Sequence, residues 1–189
     1  MIARRDPSLH LDGEVHLRLL LRRLTVHDQR MISALARREA PRWVDRFLRL
    51  VTHAGGATAT TGLALLLLLL PDTRHLGLQA LVANCLSHLA VQLLKRTVVR
   101  ARPSVLLPHI AALAEPPDHF SFPSGHACAA AAVVTPILLT APTAAVPLVC
   151  IALMVGASRV YLRVHYVTDV VVGQMLGTVA GIVAHVSLA

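Results

Sequence analysis

Five apolar stretches govern what this chain can fold into. They cover about residues 51–70, 77–95, 126–141, 144–161 and 168–188, each near the roughly 20 residues an α-helix needs to cross a hydrocarbon core. Pro71-Asp72 and Pro142-Thr143 punctuate two of the connections, as expected where a helix has to end. Composition agrees: 55% of the residues are hydrophobic, 15% are charged and mean hydropathy is +0.63, whereas about a quarter of a soluble domain is charged. The predicted fold is all-α, a polytopic membrane helix bundle of about five spans. Cys85, Cys128 and Cys150 each lie inside an apolar run. An odd count at irregular spacing is neither a disulfide framework nor a zinc pattern, so these are small packing residues.

The charge is uneven. Net charge is +8, and eleven of the eighteen basic residues, all arginine, precede residue 50. The segment lacks the apolar core and small-residue cleavage site of a signal peptide. Acidic Asp12, Glu14, Asp28, Glu39 and Asp45 interleave the arginines, which argues against nucleic acid as the partner and for a membrane surface. In PRWVDRFLRLV, Val44, Phe47, Leu48 and Val51 share one helical face, opposite Arg42, Asp45, Arg46 and Arg49. Trp43 and Phe47 suit the headgroup level, and Pro41 suits the first turn. The expected organisation is a basic amphipathic arm over 1–50, its helix in the interface, and a membrane-embedded domain over 51–189. The long connection 103–125 is proline-rich, with a short surface helix expected at Ile110–Ala114.

Polar groups concentrate at the ends of the spans. In the second run, Asn84, Ser87, His88, Val91, Gln92 and Lys95 follow three-and-four spacing. That stripe should face the bundle interior, where Asn84 and Ser87 serve as interhelical hydrogen-bond partners. Beyond it, KRTVVRARP places Lys95 and Arg102 seven residues apart, on one face if the helix continues through them. Two convergent cations suit a phosphate, although basic residues at a helix end also serve as interface anchors. In FPSGHACAAAA, Ser124 is a candidate N-cap. The free N–H groups around Gly125 could hold an anion, with His126 beside them. An ordinary capped helix accounts for the same pattern. In SRVYLRVHYVTD, His165 and Asp169 are four apart. On a helix Asp169 would then accept one ring N–H and free the other nitrogen as nucleophile or base. Ser158 lies seven before His165 and Arg159 adds a cation, but Asp169 could also form a purely structural ion pair. Chain passage puts all three stretches and the arm on one side of the membrane, so one shared site accounts for them better than three separate coincidences.

These stretches resemble the signature of the type 2 phosphatidic acid phosphatase superfamily, the lipid phosphate phosphatases. Lys95, Arg102 and Pro103 match its first part, Pro123, Ser124, Gly125 and His126 its second, and Ser158, Arg159, His165 and Asp169 its third. The likeness covers about residues 77–189. It implies that His165 attacks phosphorus to form a phosphohistidine, that Asp169 orients the ring, and that His126 protonates the leaving oxygen and then activates water. Lys95, Arg102, Arg159, the Ser124 hydroxyl and the Gly125 N–H would hold the phosphate oxygens. No metal or other cofactor is implied, and Glu115 and Asp118 stand alone in the sequence.

Members usually have six spans; five are expected here. With Lys95, Arg102 and Arg159 set aside as site residues, the site-bearing face still holds Arg96, Arg100, Arg163 and the arm, against Arg74 beside Asp72 opposite. The positive-inside rule then predicts a cytoplasmic active site in a bacterial inner membrane. Expected substrates are lipid-linked: phosphatidic acid, phosphatidylglycerol phosphate, or a polyprenyl-linked phosphate or diphosphate. The alternatives are carrier-lipid recycling of a polyprenyl diphosphate and a non-catalytic lipid-binding or transport relative.

Overall fold

A computed structural model describes residues 7–38, 40–116 and 118–189. Eight helices follow in order among them: α1 (Pro7–Ala36), α2 (Arg42–His53), α3 (Ala57–Leu69), α4 (Arg74–Thr97), α5 (Pro103–Leu106), α6 (Gly125–Thr140), α7 (Pro142–Tyr161) and α8 (Val167–Ser187). Three segments, 71–97, 142–161 and 167–187, are long and apolar enough to cross a membrane. The first expected span is interrupted. Around Gly55-Gly56 the chain bends by 53° between α2 and α3, so α2 with α3 makes a fourth crossing only as one broken span. The reason is local: glycine is a poor helix former, and α2 is charged on one side whereas α3 is almost wholly apolar. Pro41 immediately precedes α2 rather than lying in its first turn.

The core is built on α6. This 16-residue helix is about 24 Å long, short for a span, but α3, α4, α7 and α8 pack around it. Its residues from Ala130 to Ile137 are all buried. Alanine side chains let neighbours come close, and α8 answers with Gly173, Gly177 and Gly181, four residues apart on one face. A Cβ on Gly177 would lie 2.1 Å from the Cys128 carbonyl oxygen, and one on Gly173 would lie 2.5 Å from that of Ser124. The two backbones touch, which brings the start of α6 against the start of α8.

The N-terminal segment is tied into this bundle. Ile32 of α1 is buried with Ile110 and Tyr166. One turn away, the buried Asp28 accepts hydrogen bonds from Arg100 Nη2 at 2.8 Å and from the Thr168 hydroxyl. Val51 of α2 packs on Ala130, Val134, Ala152 and Val155, and the Tyr161 hydroxyl donates to Asp45. Val44 and Leu48 are half-buried, whereas Trp43, Phe47 and Leu50 are exposed; of the apolar face, Phe47 is the member left uncovered by the bundle. The expected helix at Ile110–Ala114 is absent: the short helix of this loop is α5, and Ile110 is an anchor in the core rather than a surface residue. On α4, Ser87, Val91 and Lys95 are buried as expected, but His88 and Gln92 are exposed.

Replacing Gly177 by leucine should force α6 and α8 apart, since overpacking a close contact costs about 1–3 kcal/mol or more. A lowered thermal midpoint and loss of monodispersity in detergent are expected. Val179→Leu, at an exposed position of the same helix, should change neither.

Candidate active site

The three polar stretches meet at one end of the bundle, by a route that differs from simple helical spacing. α4 ends at Thr97, so Lys95 and Arg102 do not share a helix. They converge because Asp118 lies between them. Its carboxylate accepts from Lys95 through one oxygen and from Arg102 Nη2 through the other, at 2.9 Å for the arginine. Arg102 also donates through Nε to the Asp118 carbonyl at 2.8 Å and through Nη1 to the Val164 carbonyl at 2.7 Å. Asp118 therefore does not stand alone. Burial alone would raise its carboxyl, but the hydrogen bonds and charges of Lys95 and Arg102 outweigh that and hold it below the usual carboxylate range. Burial lowers the Arg102 guanidinium against the opposing pull of Asp118.

His165 is not on a helix either. α7 stops at Tyr161, and Arg163 takes φ of 61°, a left-handed conformation that costs a residue with a Cβ about 1–2 kcal/mol. The turn carries His165 into the interior, where it is 2% exposed. Its Nδ1 lies 2.6 Å from the Ser121 carbonyl oxygen and 3.7 Å from the Asp169 carboxylate. The nearest acceptor for the ring N–H is thus a backbone carbonyl, and Asp169 stands at ion-pair distance rather than hydrogen-bonding across a helical turn. With the proton on Nδ1, Nε2 keeps its lone pair; it lies 3.4 Å from Arg102 Nη1. Burial pushes the imidazole down to about 4 despite the raising effect of Asp169.

Asp169 builds the frame around this ring. It sits in the first turn of α8 and accepts from the Tyr166 N–H at 2.8 Å, from the Ser121 hydroxyl and from Arg100 Nη1 at 2.6 Å. Arg100 spans Asp169 and Asp28 and lies over the Tyr166 ring at 4.1 Å. Burial would lower its guanidinium, but the two carboxylates raise it.

At the start of α6, Ser124 holds the N-cap position without a side-chain cap bond. Its N–H donates to the Asp169 carbonyl at 3.0 Å. Its buried hydroxyl has no partner, and neither do Nε and Nη2 of the buried Arg159, whose Nη1 donates to Thr52 Oγ1 at 2.9 Å. Unpaired buried donors are costly, and each calls for an explanation. With the helix N-terminus at Gly125, they suit an anion. Ser158 does not join the group; its hydroxyl donates to the Val155 carbonyl at 2.6 Å.

His126, in the first turn of α6, borders two cavities. One of about 1010 Å³ is also lined by Lys95, Asp118 and Gly125, and by His88 and Gln92 of α4. The other, of about 690 Å³, opens toward α2. Spacing arguments missed Asp118, Ser121, Arg100, Thr52 and Asp28. Ser121 adjoins FPSGH and Arg100 lies within KRTVVRARP, so proximity in sequence was a usable signal for both. Thr52 and Asp28 arrive from 107 and 72 residues away from their arginine partners, and no local pattern points to them.

Comparison with known proteins accords with this geometry. The undecaprenyl-diphosphatase of Sulfolobus acidocaldarius is 32% identical over 114 residues, covering 60% of this chain and 55% of that protein. The decaprenylphosphoryl-5-phosphoribose phosphatase of Mycobacterium tuberculosis is 37% identical over 113 residues, covering 59% and 61%. The chain thus spans somewhat over half the length of these relatives. Among solved structures, Aquifex aeolicus LpxE superposes with a TM-score of 0.71 at 25% identity, over 82% of this chain and 92% of that one. A transmembrane PAP2-type phosphatidylglycerolphosphate phosphatase from Bacillus subtilis gives 0.71 at 28%, over 90% and 92%. With residues 76–189 matching the family model, and its three polar motifs gathered at one end of the bundle, the chain belongs to the PAP2 superfamily.

Proposed function

We propose that this protein hydrolyses a phosphate or diphosphate ester of a membrane lipid through a phosphohistidine on His165. The observation that carries the reading is the surplus of donors at one end of the bundle: the Ser124 hydroxyl and two Arg159 nitrogens are buried without partners, at the same end as a carboxylate held between Lys95 and Arg102. A carboxylate in that position stands where phosphate oxygens would bind. The lipid phosphate takes over Lys95 and Arg102 from Asp118, and Arg159, Ser124 and the Gly125 N–H hold its remaining oxygens. His165 Nε2 then attacks phosphorus in line while His126 protonates the leaving oxygen. Water, deprotonated by His126, next displaces Nε2 and releases orthophosphate. Ser121 and Asp169 hold the ring, Asp169 through its charge at 3.7 Å.

Preorganised donors aimed at developing charge supply most of phosphoryl-transfer catalysis. Three cations, Lys95, Arg102 and Arg159, do the neutralising in this reading, which supports a reaction that needs no metal ion. The relatives named for polyprenyl-linked substrates favour that lipid class. We also infer a bacterial inner-membrane location with the site on the cytoplasmic face, since Arg96, Arg100, Arg163 and the arginine-rich arm lie at the site's end of the chain's crossings. Residues 1–50 serve as a basic arm, docked on the bundle through Asp28, Ile32 and Asp45, and 51–189 as the membrane-embedded unit.

Phosphate release by the detergent-purified protein in EDTA, on a panel of lipid phosphates, tests the mechanism. Activity should persist in EDTA and fall at least ~100-fold in His165→Gln; activity restored only by added metal would sink the reading. Asp118→Asn removes the competing charge but keeps the shape, so orthophosphate and vanadate should inhibit at concentrations about 10-fold lower. The His165 shift also has a stability consequence. Its folded value of about 4 lies below the roughly 6.5 of an unfolded histidine. As pH falls through that window the unfolded chain takes up a proton that the folded one does not, so stability drops with pH. The thermal midpoint of His165→Gln should vary less between pH 6.5 and 4 than that of the parent.

A further inference from the structure

The smaller cavity shares His126 and Arg159 with the mechanism above but adds Arg49 and His53, which hydrolysis of a simple phosphomonoester leaves unused. Its walls include Arg49, Thr52 and His53 from α2, Glu115 from the long loop, and His126 and Arg159. Two arginines and two imidazoles face one carboxylate. Arg159 is 3% exposed, and its Nε and Nη2 have no partner, so an unsatisfied buried cation borders this space. Arg49 and His53 are exposed toward it rather than packed away. They lie four apart on α2 and therefore on one face. Both precede the region that matches the family model, which begins at residue 76. Across His126 lies the larger cavity, with Lys95, Asp118 and Gly125. His126 is thus a shared wall between two anion-favouring spaces.

That is the position an acid must take to reach the oxygen bridging two phosphates. We propose that the α2-side cavity is a second phosphate subsite and that the substrate is a lipid diphosphate. The terminal phosphoryl group occupies the Lys95–Arg102 cradle, and the lipid-proximal phosphate lies against Arg49 and His53. The inference rests on the roles given above to His165 and His126. His165 Nε2 bonds to the terminal phosphorus, and the bond from that phosphorus to the bridging oxygen breaks. The electron pair stays on the oxygen, which takes its proton from His126. The leaving group is a lipid monophosphate, itself an anion, and Arg49 with His53 stabilises the charge it gains. Water then gives a proton to His126 and displaces Nε2, yielding orthophosphate. A lipid monophosphate used as substrate would place no second anion in this cavity.

The test compares kcat/KM for a polyprenyl diphosphate and the monophosphate of the same chain length, using the full chain in detergent. The parent should prefer the diphosphate. Arg49→Ala should lower kcat/KM for the diphosphate by ~10-fold or more and for the monophosphate by much less, with partial recovery in Arg49→Lys. Arg46→Ala, exposed on the same helix and lining neither cavity, should leave the ratio of the two unchanged. Equal losses on both substrates in Arg49→Ala, no loss on either, or a parent preference for the monophosphate would overturn the subsite while leaving the phosphatase reading intact. Failure of the folded parent on both these substrates and the wider lipid phosphate panel would overturn the phosphatase reading and this subsite together.

Discussion

Backbone contact between α6 and α8 is the constraint on which the site depends. Hydrophobicity cannot drive two helices together in lipid, because lipid tails are as apolar as leucine; close packing of small residues can. Alanines on α6 and glycines on α8 remove the side chains that would hold the helices apart. The first turns of both helices then lie side by side, close enough for the Ser124 N–H to reach the Asp169 carbonyl. A small outward shift of α8 would carry Asp169, and with it the frame around His165, away from the donors at the start of α6. The precision of the site is set by helix packing that starts one turn from it, at Gly173, and continues through Gly177 and Gly181.

The frame tolerates considerable cost at the centre. Buried donors on Ser124 and Arg159 go unpaired, each at about 1–3 kcal/mol, and Arg163 holds a strained backbone. Such debts persist only where surrounding structure over-determines the geometry. Here the surroundings are dense: Thr52 fixes one Arg159 nitrogen, Arg100 ties Asp169 to Asp28, and Asp118 ties the long loop to Lys95 and Arg102.

Much of this was legible from sequence, for physical reasons that also explain the rest. Apolar runs long enough to span give α4, α7 and α8 directly, and the three polar stretches do meet. Misplaced details came from extending helical arithmetic across residues that are not helical. Lys95 and Arg102, and His165 and Asp169, have the spacing of a shared helix face, yet a helix end intervenes in each pair. The loop ahead of FPSGH contributes what no periodicity encodes: the Ser121 carbonyl at the ring and Asp118 between two cations. The break at Gly55-Gly56 and the four-residue glycine spacing of α8 were both visible as letters; their meaning depended on which helix lies opposite.

The link from Asp28 through Arg100 to Asp169 alters how the molecule divides. By sequence likeness the family region begins near residue 76, and everything before it looks like an exchangeable attachment. By hydrogen bonding it does not, because an acid on α1 shares one guanidinium with the carboxylate that frames His165. An N-terminal segment grafted from a relative would have to bring a matching carboxylate to that arginine, or the graft would leave Arg100 half-satisfied beside Asp169. The natural boundaries for building chimeras in this protein therefore follow shared charges rather than the edges of the aligned region.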